Sequence, residues 1–243
     1  SDKASYYMSF AYFNKDGYLK NSDKNENFKR YNVLLKGEYK INDWLSMDSR
    51  ALIATEKSDK PHFYHWDVNI NTSARQDPLD AIRFPDLPYY LEPGDREQYE
   101  DYIGMYFAGT NFLPYLEQGG RETWTNTDMF LTQGVTLNPI KGLNIKGNFT
   151  YRLNARNYQD VQSKIEVIEN RDLTNLVIGN GFSGNDWIVN MTDHNQYYVI
   201  NAFADYTIDN NTDHYFKAMI GYNQEWGNRQ QFFAQNFGLI TPG

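Results

Sequence analysis

The chain has 243 residues, of which 23 are basic and 31 acidic, and its net charge of −8 argues against a nucleic-acid-binding surface. No cysteine is present, so a disulfide framework and thiolate ligation of a metal are both excluded. No apolar run approaches the ~18 residues of a transmembrane helix. Residues 1–5 lead directly into strand-like sequence rather than a signal peptide, so we expect a mature chain or a piece of a longer protein.

Aromatic residues are frequent in a chain that is polar overall. Tyrosine, phenylalanine and tryptophan make up 16% of the residues, whereas the mean hydropathy is −0.73. Alternating strands joined by long hydrophilic loops combine these two properties, because only one face of each strand is then apolar. The composition therefore favours an all-β protein.

Seven stretches alternate between apolar and polar residues with a period of two, which places the two sets on opposite faces of a β-strand. In chain order they cover residues 4–14, 30–41, 44–56, 125–137, 143–154, 195–208 and 214–226. The alternation is strictest in 143–154, where Ile145 and Phe149 belong to the apolar set and Lys146 and Arg152 to the polar set.

The predicted connections are alternately long and short. Short turns are expected at residues 42–43, 138–142 and 209–213. In the second of these, Pro139 has no N–H for a ladder and Gly142 accepts a positive φ, so the chain reverses there. Long connections are expected at 14–29, at 58–123 (with a possible short helix near 96–105) and at 155–194, and the tail 227–243 also reads as loop.

This asymmetry between the two ends is typical of a transmembrane β-barrel, which has short periplasmic turns and long extracellular loops. Strands of about 12 residues at ~3.3 Å per residue, tilted by ~40°, rise about 30 Å, enough to cross an apolar band ~25 Å tall. A solvated β-sandwich would show the same alternation, so the loop asymmetry is what favours the barrel. Seven strands leave two open edges, and we therefore expect a segment of a larger antiparallel barrel.

In such a barrel the apolar set faces lipid and the polar set faces the lumen. The lipid-facing set includes Met129, Leu131, the odd positions of 143–153 and the even positions of 198–208. Tyrosines near strand ends are expected at the membrane interfaces, namely Tyr31, Tyr39, Tyr151, Tyr206 and Tyr222. The side chains expected to line the lumen are Lys36, Glu38, Lys40, Arg50, Lys146, Arg152 and Lys217.

Five segments in a fixed order carry a family resemblance. They are SYYMSFAYFNKDGYLKNSD, FKRYNVLLKGEYKINDWLSM, TWTNTDMFLTQGVTLNPIKGLNIKGNFTYR, YYVINAFADYTIDNNTDHYFKAMIGYNQEW and NFGLITPG. Together they resemble the barrel hairpins of the SusC/RagA-type TonB-dependent transporters of Bacteroidota. The segments cover most of the predicted strands but not the two longest loops.

The resemblance implies a 22-stranded barrel in a Gram-negative outer membrane. It also implies an N-terminal plug, a SusD-like lipoprotein lid and energy supplied by TonB-ExbBD. Residues 1–243 would then form a partial barrel, without the plug, the TonB box and the remaining strands. The implied function is import of oligosaccharides, with oligopeptides as an alternative, and it requires neither catalysis nor a cofactor.

Three motifs suggest other chemistry, and each has a simpler explanation. Residues 179–184 match GxGxxG, but the sequence that follows does not resemble the helix that would bind a phosphate, so we interpret them as loop. His62 and His65 with Asp67 could ligate a metal, but no spacing fixes a third ligand, and structural or solvated histidines are the better prediction. The acidic pairs near residues 95–101 are interpreted as solvated loop charge rather than a glycosidase site.

Aromatic residues cluster in the long connection 58–123. Tyr64, Trp66, Tyr89 and Tyr90 are candidates for stacking on a sugar or packing on a lid protein, and Tyr99, Tyr102 and Tyr106 belong to the same cluster. Packing of the loop on itself explains them equally well. The alternative function is therefore a secreted carbohydrate-binding β-sandwich or barrel, with a loop-site glycosidase as a weaker third hypothesis.

Overall fold

The computed structural model describes residues 3–17, 26–63, 83–84, 100–108, 112–169, 176–181, 184–209 and 215–238. Most of these residues belong to one seven-stranded antiparallel sheet, in which each strand pairs with the next long strand along the chain. Its strands are β1 (Ala4–Asp16), β2 (Asn27–Lys40), β3 (Leu45–Pro61), β5 (Arg121–Leu137), β6 (Leu143–Gln162), β9 (Trp187–Asp209) and β10 (Tyr215–Phe237). The predicted seven-stranded meander is thus confirmed.

A second, three-stranded sheet lies among the long connections and was not predicted. Its strands are β4 (Tyr106–Phe107), β7 (Val167–Ile168) and β8 (Ile178–Gly179). A six-residue helix, α1 (Leu113–Gln118), packs with it, and Glu100–Tyr102 forms a 3-10 helix within the region where a helix was expected. We call residues 83–84, 100–108, 112–120, 163–169 and 176–181 the loop cap. No helix in the described part of the chain is long and apolar enough to cross a membrane.

The register of the large sheet aligns the apolar sets of neighbouring strands on one face. Leu131 lies opposite Tyr151, and Tyr151 lies opposite Tyr198. The aromatic row continues to Trp226, whose ring stacks on that of Tyr198 with centroids 5.0 Å apart. Cross-strand aromatic pairs of this kind stabilise the sheet beyond the area they bury.

Within the part of the chain that the structure describes, nothing packs over this apolar face. Met8 and Ile220 are each 75% exposed, although they belong to the apolar set of β1 and β10. The hydrophobic core of the described residues lies instead in the loop cap, where Tyr115 and Val167 are almost fully buried. A large sheet with an uncovered apolar face needs an apolar environment outside this chain.

Both described short turns lie at the same end of the sheet, as predicted. In the first, the side chain of Asn42 accepts a hydrogen bond from the Trp44 N–H (3.0 Å). The two turns are joined by a hydrogen bond from the Asn138 N–H to the Trp44 carbonyl (2.7 Å). The third predicted turn, 209–213, lies almost entirely outside the described residues.

Gly142 has the positive φ expected of it, +85°, and lies close to β9. A Cβ at this position would lie 2.3 Å from the carbonyl oxygen of Thr207. We expect Gly142→Ala to cost about 2 kcal/mol, because an L-residue is strained at this φ and the β9 backbone would have to shift. The measurement is the urea midpoint of the folded full-length protein, with Lys141→Ala in the same turn as the control. Equal midpoints for the two variants would contradict the prediction.

The strands are longer than the alternation indicated. The tail 227–243 was interpreted as loop, but β10 continues to Phe237, and β9 begins at Trp187, inside the predicted loop 155–194. At ~3.3 Å per residue, a 23-residue strand is about 75 Å long, far more than a bilayer requires. The extensions mix apolar and polar residues without a period of two, for example at 187–189 (WIV) and 230–233 (QQFF), so they lack the alternation by which strands were found.

Candidate functional site: the polar face of the sheet and the loop cap

The register brings all seven predicted lumen side chains to the polar face of the large sheet. Four of them have partners there. Arg152 donates to both carboxylate oxygens of Asp128 at 3.0 Å and lies 4.8 Å from the Phe130 ring centroid. Lys217 pairs with Asp205 (3.4 Å), Lys146 lies over the Phe203 ring, and Lys36 lies over the Tyr7 ring.

The remaining three predicted side chains differ from one another. Lys40 forms an ion pair with Asp43 (2.9 Å) in the first short turn, and this lysine holds the pKa of the Asp43 carboxyl below its usual value through their hydrogen bond. Glu38 and Arg50 make no ion pair with another described residue. The polar face therefore carries some charged side chains that form ion pairs and others that form none with a described residue.

Hydrogen-bonded amide pairs, which the sequence did not predict, cross the same face. Asn154 donates to Asn126 (3.0 Å), and Asn201 donates to Asn148 (3.0 Å) while accepting from Asn223 (2.5 Å). Each pair needs a strand register that the sequence does not fix. A polar face of this kind offers amide and carboxylate groups to a polar solute, which suits binding and passage of that solute.

The long-loop end of the polar face is also closely paired. Arg156 lies over the rings of Trp124 and Tyr158, and Arg229 forms a bidentate pair with Asp193. These contacts fall on the strand extensions. They extend the polar face beyond the part of the sheet in which apolar and polar residues alternate.

The loop cap has its own hydrophobic core in two adjoining clusters. One contains Tyr106, Tyr115, Ile165 and Val167, and the other contains Phe84, Phe107 and Ile168. The interpretation that loop aromatics pack on one another is thus correct for Tyr106, which is buried, and for Tyr102, whose ring lies 6.3 Å from that of Phe84. Tyr64, Trp66, Tyr89, Tyr90 and Tyr99 lie outside the described residues.

A charged cluster closes one side of this core. Arg83 donates to the Tyr106 hydroxyl, which in turn donates to Glu117, and Arg83 also pairs with Glu117 at 3.0 Å. Burial, followed by the hydrogen bond to Glu117, raises the pKa of the Tyr106 phenol. The hydrogen bond to Tyr106 raises the pKa of the Arg83 guanidinium. The phenol therefore remains neutral and serves as a link between the two charges.

The described contacts of His62 are structural, and this residue connects the loop cap to the large sheet. Its Nδ1 lies 2.5 Å from Asp160 and its Nε2 lies 3.1 Å from the Gln162 side-chain oxygen. The ring packs edge-on against Trp187, with centroids 5.0 Å apart. His65 and Asp67 lie outside the described residues. Within the described ranges, no group of three or more His, Cys, Asp or Glu side chains could hold a metal ion.

The GxGxxG match does not begin a helix. Gly179 ends the short strand β8, Gly181 and Gly184 have positive φ, and the chain enters the long strand β9 three residues later. No helix N-terminus follows to bind a phosphate, which agrees with the loop interpretation. Of the acidic pairs, Glu100 and Asp101 are exposed in the 3-10 helix, and residue 95 lies outside the described ranges.

These features define the class of the fold: an all-β antiparallel meander with one apolar face, one polar face and all its described long connections at one end. Solved structures of this class that resemble the chain are chains of the RagAB peptide importer. The 'open-open' state matches with a TM-score of 0.67 at 16% identity over 100% of this chain, and the 'closed-closed' state with 0.64 at 17% over 99%. A further RagAB peptide transporter structure matches with 0.58 at 17% over 98%.

Each of these matches covers 24% of the other chain, so the chain spans about a quarter of the length of the structures it resembles. No family model matches the sequence, and neither does any curated protein. The likeness confirms the predicted fold class and agrees with the resemblance to RagA-type transporters.

Proposed function

We propose that residues 1–243 form part of the barrel of an outer-membrane importer, the SusC-like channel of a SusCD-type complex in a Bacteroidota-like cell. The observation that carries this proposal is the large sheet, whose apolar face is uncovered while its polar face carries paired charges and amides. Lipid is the environment that suits the first face, and a water-filled lumen suits the second. The seven predicted lumen residues line the channel in this proposal.

Partners outside this chain complete the proposed transporter. A SusD-like lipoprotein covers the long-loop end, where the loop cap lies, and TonB-ExbBD supplies energy from the periplasm through a region outside residues 1–243. The pairing of two proteins in the name RagAB supports a complex of this type. The secreted carbohydrate-binding alternative is less favoured, because within the described residues no second layer covers the apolar face.

The proposed cargo is an oligomeric nutrient. The resemblance to SusC/RagA-type transporters implies oligosaccharides first, with oligopeptides as the alternative. The likeness to peptide importers favours the oligopeptide alternative, and the buried position of Tyr106 removes one of the aromatics from the sugar-stacking hypothesis. Uptake of labelled oligosaccharides and of labelled oligopeptides distinguishes these two classes of cargo.

We expect a strain without the full-length protein to lose uptake of one of two fluorescent mixtures, oligosaccharides or oligopeptides. A strain lacking TonB should show the same loss, because transport against a gradient needs energy from the inner membrane. The measurement is cell-associated fluorescence, with total outer-membrane protein as the control for membrane integrity. Unchanged uptake of both mixtures, or recovery of the protein as a soluble monomer, would overturn the proposal.

A further inference from the structure

The two ring nitrogens of His62 both face hydrogen-bond acceptors. Nδ1 lies 2.5 Å from a carboxylate oxygen of Asp160, and Nε2 lies 3.1 Å from the side-chain oxygen of Gln162. An ionised carboxylate and an amide oxygen accept hydrogen bonds and donate none. Neutral histidine has a proton on one ring nitrogen only, whereas the imidazolium has one on each. Both contacts are therefore satisfied together when His62 is an imidazolium.

The orientation of the Gln162 amide is fixed by a third group. Its Nε2 donates a hydrogen bond to the Asn185 carbonyl oxygen at 3.0 Å. Reversal of the amide would place its oxygen against that carbonyl, so that two acceptors would face each other. The amide oxygen must therefore face His62. A neutral His62 with its proton on Nδ1 would leave Nε2 and the amide oxygen as two facing acceptors, which is costly in a largely buried site.

Asp160 provides the negative charge next to His62. One of its carboxylate oxygens contacts His62, and the other accepts a hydrogen bond from the Tyr158 hydroxyl at 3.3 Å. Burial, followed by the charge of Asp160, raises the pKa of the Tyr158 phenol, so this hydroxyl remains a donor. A hydrogen bond donated to a carboxylate favours its ionised form. The proton between the two side chains therefore belongs to His62.

The other charged groups around this site have partners of their own. They come from the end of β3, from the start of β5 and from the residues next to β6 and β9. The pairs are Lys60 with Glu122 (3.1 Å), Arg121 with Asp59 (2.6 Å), and Asp186 with the Lys164 N–H.

His62 lies where three parts of the chain meet the loop cap. It follows the last residue of β3, and its N–H donates to the Gly120 carbonyl at 3.0 Å. Its ring packs edge-on against Trp187, the first residue of β9, and against Phe63, with centroids 5.0 and 4.7 Å apart. Phe63 in turn packs against Tyr115 in the core of the cap. The protonation of this ring therefore bears on the whole junction.

We propose that His62 is a pH-sensitive switch, which as an imidazolium fastens the loop cap to the ends of β3, β6 and β9 and on loss of its Nε2 proton to solvent lets the cap open. The stabilisation is present while the ring is charged and is lost as the pH rises through its titration. Imidazole side chains ordinarily titrate near ~6.5, within the range of natural environments. The inference rests on the proposed function only in placing the switch at the mouth of the lumen, where an open cap would admit solutes.

The protonation state is measured by solid-state ¹⁵N NMR of the full-length protein in membranes, with labelled histidine. At about pH 6 both ring nitrogens of His62 should be protonated, and at about pH 9 one of them should not. His62→Gln assigns the signal by its loss. If this variant does not fold, a protein with His65, His194 and His214 replaced by glutamine assigns it instead. A neutral ring at the lower pH, or an imidazolium at both, would overturn the inference.

Opening of the cap is measured by limited proteolysis of the full-length protein at the same two pH values. Each rate is divided by that of an unstructured peptide, which corrects for the pH dependence of the protease. Cleavage within residues 163–181 should be about tenfold faster at the higher pH, because an unpaired acceptor then lies in the junction. His62→Gln should abolish this difference. The matched control is His194→Gln, the same substitution at an exposed position of β9, which should retain it.

The outcomes distinguish the switch from the proposed function. Equal pH dependence in the wild-type protein and in His62→Gln would overturn the switch. TonB-dependent uptake of cargo together with a cap that does not respond to pH would overturn the switch and leave the proposed function standing. A pH-dependent cap in a protein that imports neither class of cargo would support the switch and contradict the proposed function.

Discussion

Tyr115→Ala is expected to open the loop cap while the seven-stranded sheet remains folded. The Tyr115 side chain is only 1% exposed and packs edge-on against Phe63, with ring centroids 5.3 Å apart. Truncation of a fully buried aromatic side chain typically costs about 3–5 kcal/mol. The described part of the cap contains eight buried hydrophobic residues, so this loss removes a large share of its packing. The sheet does not depend on that core, because its strands are held by their own ladders.

The measurement is limited proteolysis of the full-length protein, followed by mass spectrometry of the fragments. We expect new cleavage within residues 100–120 and 163–181 of the loop cap, whereas β6 and β9 remain protected. Tyr115→Phe is the matched control, because it retains the ring and should preserve the wild-type pattern. A pattern in Tyr115→Ala that is indistinguishable from this control would show that the cap does not depend on its core.

Asp160→Ala is expected to destabilise the junction between the cap and the sheet by about 1–3 kcal/mol, the usual cost of leaving a buried hydrogen-bonding group without its partner. The His62 and Asp160 side chains are 12% and 11% exposed, with Nδ1 and Oδ1 2.5 Å apart. Asp160 also accepts a hydrogen bond from the Tyr158 hydroxyl at 3.3 Å. The variant leaves both donors without their acceptor in a site from which water is largely excluded.

Hydrogen exchange provides the measurement at this junction. The His62 N–H donates to the Gly120 carbonyl, and the Ser163 N–H donates to the Gly119 carbonyl, so both amides report its opening. Asp59→Ala is the matched control, because Asp59 pairs with Arg121 at the same end of the sheet but its side chain is 54% exposed. An exposed pair contributes at most about 1 kcal/mol. Equal acceleration of exchange in the two variants would contradict the prediction.

The double replacement of His62 and Asp160 by leucine separates the hydrogen-bonding effect from the packing effect. If the loss of a hydrogen-bond partner by His62 is the main cost, the double variant should be more stable than Asp160→Ala, because it removes both members of the pair together. If the pair acts chiefly by packing against Trp187, the double variant should be the less stable of the two. Urea midpoints of the two variants decide between these explanations.

The part of the sheet that alternates apolar and polar residues could be predicted from the sequence alone. The period of two identified all seven strands, and the division of charges between faces agrees with the register around Arg152 and Lys217. The conformation of Gly142 was also predictable, because a tight reversal next to Pro139 requires a residue that tolerates positive φ. These features are local: each depends on neighbours within a few positions.

Features that depend on distant contacts were decided by the tertiary structure. The long-loop ends of β9 and β10 are strands because the two strands pair with each other over 23 positions, and no alternation within either strand marks those ends. In the cap, β4 and β7 pair although they lie about 60 residues apart, and the partner of His62 lies 98 residues away. The sequence by itself therefore determined the class of the fold and which face of the sheet is apolar and which is polar. Only the register and the long-range packing determined which charges are paired, which are free, and where the core lies.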